Sequence, residues 1–320
     1  MMLGVLLATM AAAAASPITA PGPRGPLAGT YLDAGAKAPV VLIIPGSGPT
    51  DRDGNNPLGV TAAPYRLLAE ALAAKGVSSV RIDKRGMFGS KAAVADANAV
   101  TIGDYAADTH AWVAAIRKQA GAKCVWVLGH SEGALVALAA AQQPEGICGV
   151  ILVSGAGRKL GDVIRDQLRA NPANAPLLDS AMAALDSLEA GKHVDVSGMH
   201  PALQKLFAPQ VQGFLIDMFR RDPAKLAASL KLPLLIVQGE RDLQVSVADA
   251  KRLAAAQPRA KLVLVPTMNH VLKDVESDDR AANLATYGNS ALPVDPALID
   301  AIADFVKRQG PSRPTGRAAG

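Results

Sequence analysis

Gly129-His130-Ser131-Glu132-Gly133 is the stretch whose residue types and spacing point most directly to chemistry. A serine with glycine two residues to either side fits a turn so tight that side chains there would strike the neighbouring strand and helix. At the apex of such a turn the serine sits at strained backbone angles. The flanks supply the context this needs. An apolar run at 124–128 leads in and an Ala/Leu-rich run through Ala141 leads out, so strand, sharp turn and helix follow in order. The helix would aim its unpaired N–H groups at negative charge developing beside Ser131.

A serine hydroxyl is a poor nucleophile and needs a base, itself oriented by a carboxylate. Five histidines compete. His110 falls in an amphipathic helical pattern, His193 and His200 in a later helical stretch, and His130, beside the serine, must point elsewhere. His270 follows the last strand-like run, at the same sheet edge as Ser131, and is the candidate base. The acid must also follow a strand end. After the apolar run 232–238 comes Gly239-Glu240-Arg241-Asp242, where either carboxylate could serve; Asp242, further along the turn, is preferred. A tetrahedral intermediate carries an oxyanion and requires two preorganised N–H donors. The amide of Glu132 is one candidate, and that of Ser47, after Pro45-Gly46, is the other. Asp51, Arg52 and Asp53 read as a structural ion-pair set, and Asp83, Lys84 and Arg85 as charges that fix a loop.

These residues need elements to hold them. Residues 38–44 read as a buried strand, 61–75 as a helix and 77–82 as a strand. Thr101 with Asp104 marks another helix start, and a further strand occupies 149–153. This alternation predicts an α/β fold, a mostly parallel central sheet with helices on both faces. Residues 158–231 carry only helical patterns broken by proline, which predicts a helical cap inserted over the strand ends. A strand at 232–238, a helix at 247–256 and a strand at 261–266 resume the sheet. Asp295, Pro296 and Gly310 bracket a closing helix. The core is therefore expected at 16–157 and 232–310. Within it, 16–28 reads as an extended lead-in and 29–32 as one edge strand. The polar tail 311–320 is expected to be disordered.

The chain has 320 residues, half of them hydrophobic, enough for one large core. Its formal charge of +5 is spread thinly, without a basic run interleaved with aromatics, so a nucleic-acid partner is not expected. Residues 1–15, uncharged and apolar before a small-residue stretch, read as a signal peptide cleaved after Ala15, which implies a periplasmic or secreted protein. That run is too short to span a membrane. Cys124 and Cys148 head successive strands that a parallel sheet sets side by side. A disulfide between them is one reading and two small buried side chains the other. They do not make a zinc site, and neither a metal nor a cofactor is expected.

Together, Gly46-Ser-Gly-Pro-Thr-Asp-Arg-Asp-Gly54, Asp83-Lys-Arg-Gly86, Gly129-His-Ser-Glu-Gly133, Gly239-Glu-Arg-Asp242 and Asn269-His270 resemble the α/β-hydrolase superfamily. More narrowly, they are similar to bacterial esterases grouped with serine aminopeptidase-like hydrolases. The order Ser131, Asp242, His270 is that superfamily's order. The resemblance spans roughly 38–310. It implies a nucleophile at Ser131, an acid at Asp242, a base at His270 and hydrolysis of small-molecule carboxylic esters without a cofactor. Aminopeptidase, thioesterase or acyltransferase activity on the same residues, or a non-catalytic binding protein, are the alternatives. The strands that usually precede the first conserved one are reduced here to a single one.

Overall fold

The structure, a computed structural model, describes residues 14–308. The expected tail at 311–320, and all but the last two residues of the expected leader, lie outside the described residues. The first half of the fold runs β1 (Ala15–Ala20), β2 (Leu27–Leu32), β3 (Val40–Ile44), α1 (Pro64–Ala74), β4 (Ser78–Ile82) and α2 (Ile102–Ala120). The centre follows with β5 (Val125–His130), α3 (Glu132–Ala140) and β6 (Ile147–Val153). Next come five helices: α4 (Leu160–Arg169), α5 (Leu178–Glu189), α6 (Pro201–Leu206), α7 (Pro209–Phe219) and α8 (Pro223–Ser229). The chain then returns to the sheet through β7 (Leu234–Gly239), α9 (Val247–Ala256) and β8 (Lys261–Val265), and finishes with α10 (Arg280–Ala285) and α11 (Pro296–Arg308).

All eight strands form one sheet in the order β1-β2-β4-β3-β5-β6-β7-β8. From β4 to β8 every pairing is parallel, while β1–β2 and β2–β4 are antiparallel. The parallel strands read as unbroken Val/Ile/Leu runs because both of their faces are covered. One face is packed by α1 and α11, through Leu68, Leu72, Leu298 and Ile302 against Val41, Leu128 and Ile151. The other is packed by α2, α3 and α9, through Trp112, Ile116, Leu135 and Leu253 against Leu42, Val127 and Leu152. The helices α4–α8 extend this second core, contributing Leu185, Phe207 and Phe219.

Local chemistry sets the helix ends. Thr101 and Asp104 form a reciprocal capping box on α2, and Asp295 accepts from the amide of Ala297 at the start of α11. One expectation fails. Residues 16–28 are not a bare lead-in, and 29–32 is not an edge: Ala15–Ala20 is a strand paired to Leu27–Leu32, so β1 forms the edge and β2 lies inside it. Two strands, rather than one, therefore precede β3. The signal was masked by Pro17, which removes a ladder donor and is tolerated on an edge strand. Only Ile18 and Ala20 of β1 are buried.

Cys124 and Cys148 are joined by a disulfide. It ties the start of β5 to β6 at the end of the sheet away from Ser131.

Candidate active site

Ser131 leaves β5 with φ 55° and ψ −119°, the strained positive-φ conformation expected of a sharp strand-to-helix turn. Both flanking glycines are required by contact. A Cβ on Gly129 would run into the carbonyl of Gly133, and one on Gly133 would lie 2.5 Å from the carbonyl oxygen of Ile44. The Ser131 side chain does not cap α3, and the residue lines a large cavity.

The turn after β7 and the loop after β8 meet beside it. His270 Nδ1 donates to Asp242 Oδ2 at 2.8 Å, with Oδ1 3.0 Å away. Oδ1 of Asp242 also accepts from the amides of Gln244 and Val245, at 2.8 and 2.9 Å. Burial alone would raise the Asp242 pKa; the His270 ring and these amides outweigh it and hold the carboxyl below the usual range. Glu240, the other carboxylate in that turn, is exposed and has no contact with His270. With Nδ1 committed to Asp242, His270 presents Nε2 as the acceptor. Among the described residues, neither that nitrogen nor Ser131 Oγ has a hydrogen-bond partner, so each is free for the other or for a substrate. Their loops are adjacent, since the rings of His130 and His270 lie 4.8 Å apart.

His130 points away from the hydroxyl, as its position required. Tyr65 Oη donates to its Nδ1 at 2.8 Å, and its Nε2 donates to the main-chain oxygen of His270 at 2.9 Å. Burial first, then the neighbouring His270, pushes the His130 pKa down to about 3, so this ring is neutral at ordinary pH. Tyr65 also accepts from the amide of Gly46 at 3.0 Å.

The loop Pro45–Gly48 lies directly against the serine: a Cβ on Gly46 would sit 3.3 Å from the Ser131 Cβ. The amides of Ser47 and Glu132 have no acceptor among the described residues. Ser47, Ser131 and Glu132 all line the cavity, so two unpaired N–H donors stand next to one hydroxyl.

The charged loops behave as structural ties. Asp83 holds the Arg52 guanidinium at 2.5 Å, Asp53 pairs with Arg81, and Arg85 is gripped by Asp104 and Asp108. Lys84 differs. Its Nζ donates to Gly46 O at 2.7 Å and to Glu132 Oε1 at 3.1 Å, and both side chains are buried.

Asn283 has no signal in the sequence, and Asn269 enters there only as part of the Asn269-His270 motif. Asn283 Nδ2 donates to the Arg241 carbonyl at 2.7 Å, while Asn269 Nδ2 donates to Asn283 Oδ1 at 3.2 Å and Thr286 Oγ1 at 2.7 Å. Through α10, the residue before His270 is thus tied to the residue before Asp242. No local pattern around Asn283 announces this; its partners lie 14 and 42 positions away.

The cavity over Ser131 has a volume of about 980 Å³. Its wall is apolar, built by Val163 and Ile164 of α4, by Phe214, Leu215 and Met218 of α7, and by Met87. Leu58, Phe88 and Leu206 are exposed large hydrophobic residues that also line it.

A serine on a strained strand-to-helix turn, with a carboxylate–imidazole pair on loops after later strands of one parallel sheet, is an arrangement that can be compared. A family model described as serine aminopeptidase S33 matches residues 58–277. The chain belongs to this family of α/β-hydrolases. Among curated proteins, Esterase EstD of Thermotoga maritima is 27% identical over 275 residues, covering 84% of this chain and 62% of that protein. The chain thus matches less than two thirds of the length of that esterase. Of solved α/β-hydrolase structures, the Pyrococcus furiosus esterase Pf2001 superposes with a TM-score of 0.57 at 18% identity, over 96% of each chain. A thermophilic esterase from Thermogutta terrifontis, described as malate bound, gives 0.55 at 17% identity over 93% of this chain and 99% of its own. Likenesses at this level of identity establish the fold.

Proposed function

We propose that this α/β-hydrolase is a serine carboxylesterase acting on small-molecule esters with an apolar acyl group. Ser131 Oγ attacks the ester carbonyl while His270 Nε2 takes its proton. The C=O electron pair moves onto oxygen, facing the amides of Ser47 and Glu132. Collapse expels the alcohol, which receives the proton from His270. Water, deprotonated by the same imidazole, then releases the acid from the acyl-enzyme. Asp242 holds the imidazole in the tautomer that leaves Nε2 unprotonated. The observation that carries this reading is the Asp242–His270 hydrogen bond next to a serine with an unengaged hydroxyl.

The nature of the cavity favours esters over aminoacyl substrates. A free α-ammonium group calls for an unpaired carboxylate, and the carboxylates of the helical segment are elsewhere or occupied. Asp186 and Glu189 grip Arg165, and Asp179 does not line the cavity. Glu132 does line it, but its carboxylate is bonded to Lys84. The apolar run before residue 16 and the disulfide together support export to the periplasm or medium, where a disulfide persists.

Hydrolysis of p-nitrophenyl esters of graded chain length, set against aminoacyl p-nitroanilides, tests the reading. Turnover of esters with four or more acyl carbons is expected, together with serine labelling by an organophosphate. Absence of both in the folded protein overturns it, and preferred cleavage of the anilides turns it to a peptidase.

A further inference from the structure

Lys84 stands apart from the other charged residues of its loop. Asp83 and Arg85, its neighbours in sequence, reach away to Arg52 and to Asp104 and Asp108. Lys84, about 4% exposed, is instead buried at the cavity wall that Ser47 and Glu132 also line, and among the described residues its ammonium has two polar partners. One is the carbonyl of Gly46, at 2.7 Å; the other is the carboxylate of Glu132, at 3.1 Å. Its third neighbour is the face of Tyr105, 5.3 Å away.

The two polar partners are not arbitrary. In a trans peptide the C=O and the following N–H point in opposite directions. The Gly46 carbonyl shares its peptide plane with the Ser47 amide, so gripping that oxygen fixes the direction of the Ser47 N–H. The same grip polarises the amide, because a cation on the carbonyl oxygen draws electron density from the nitrogen and makes its hydrogen a stronger donor. Glu132, the other partner, supplies the second unpaired amide. One ammonium therefore ties the Gly46–Ser47 peptide to Glu132, the two carriers of unpaired amides beside Ser131. The Gly46–Ser47 backbone is pinned further by Tyr65 Oη, which accepts from the Gly46 amide, and by Thr50 Oγ1, which donates to the Ser47 carbonyl at 2.8 Å.

We propose that Lys84 is a positioning residue for the oxyanion hole, orienting and polarising the Gly46–Ser47 peptide while fixing the start of α3 through Glu132. This rests on the esterase reading above. Lys84 also lines the cavity, but its ammonium is taken up by Gly46 and Glu132, so it acts through the peptide it holds. Its contribution is to the oxyanion, which exists in the tetrahedral state and not in the bound ester, so it belongs to kcat rather than to KM.

The test compares Lys84→Met with Lys84→Met/Glu132→Met. The single variant leaves a buried carboxylate unpaired and is exposed to misfolding; the double variant replaces the ion pair by apolar side chains of similar length and keeps the question answerable. The readouts are kcat and KM on a p-nitrophenyl ester, and inhibition by an alkyl trifluoromethyl ketone. That ketone accepts Ser131 Oγ at its carbonyl carbon, places the electron pair on oxygen and sends the proton to His270. In both variants kcat is expected to fall about 10- to 100-fold, less than the 10²–10³-fold of losing a donor outright, with KM within about threefold of wild type. Ketone affinity should weaken in parallel with kcat. Recovery of wild-type kcat in the double variant would show that Lys84 merely neutralises Glu132 and would overturn the proposal. So would a fall in kcat with ketone affinity unchanged. If the wild-type protein is neither inhibited by the ketone nor labelled by an organophosphate, the esterase reading itself fails and takes this inference with it.

Discussion

The ring of His130 donates from Nε2 to the main-chain oxygen of His270, 2.9 Å away and 140 positions along the chain. The residue before the candidate nucleophile thus holds the backbone of the candidate base. It does so as the neutral tautomer that accepts from Tyr65 at Nδ1. Burial makes that neutrality secure, with a pKa pushed down to about 3.

That depressed pKa has a consequence for stability. An unfolded histidine binds a proton below about pH 6.5, whereas His130 in the folded chain stays neutral until about pH 3. The unfolded state therefore binds more protons, and stability is lost as pH falls through this window, by at most about 1.4 kcal/mol per pH unit. His130→Asn is expected to be less stable at pH 7, since it leaves the Tyr65 hydroxyl or the His270 carbonyl unpaired. Its curve of unfolding free energy against pH should be flatter between about 6 and 4, so that the two proteins converge. Urea titrations across that range check this; parallel curves would mean that His130 is protonated in the fold.

Ser131 itself is under backbone strain at φ 55°. Ser131→Ala should abolish ester hydrolysis and organophosphate labelling while leaving the protein folded, with its strain retained because alanine also carries a Cβ. Ser131→Gly should be equally inactive and more stable than the alanine variant by about 1 kcal/mol, since glycine adopts positive φ without steric cost. Differential scanning calorimetry of the two variants gives the comparison directly.

Asp242 is held in its charged form by His270 and two backbone amides despite complete burial of its side chain. Its folded pKa lies below the unfolded value. The stabilisation it provides is therefore fully present above about pH 4 and disappears as pH falls through the lower folded value. Asp242→Asn should lower kcat about 10⁴-fold by favouring the wrong imidazole tautomer. Thermal unfolding should show the variant disadvantaged at pH 7 and much less so at pH 3. An activity loss below tenfold would mean that another group orients His270.

The Cys124–Cys148 bridge closes a loop of 24 residues. A loop of that length restricts the unfolded chain by about 3–4 kcal/mol in the chain-entropy account. Cys124→Ser/Cys148→Ser should lose stability of this order in denaturant titrations without change in kcat, the bridge lying at the opposite end of β5 from the serine turn. Unchanged stability in the double variant would mean that strain in the fold offsets the entropy.

Much of this was legible in the chain because it is locally encoded. Unbroken apolar runs gave β3, β5, β6 and β7 their places, Thr101 and Asp295 marked helix starts, and the glycines of 129–133 announced the strained turn. The edge strand is not legible in the sequence because Pro17 breaks the strand signal of Ala15–Ala20, whose pairing depends on a partner, β2, rather than on its own sequence. The sequence alone groups Lys84 with two loop-fixing charges, since nothing in Asp83-Lys84-Arg85 tells which of them turns inward.

The sequence by itself determined the order of elements, the turn at Ser131 and the shortlist of acid and base, because backbone conformation and burial periodicity are properties of a few neighbouring residues. Only the tertiary structure set Asp242 rather than Glu240 against His270, joined the two cysteines, and ran the ties from Lys84 to Gly46, from Asn283 to Arg241 and from His130 to His270. Those are hydrogen bonds between positions far apart in the chain, and their geometry is fixed by how sheet and helices pack, which no single stretch of residues carries.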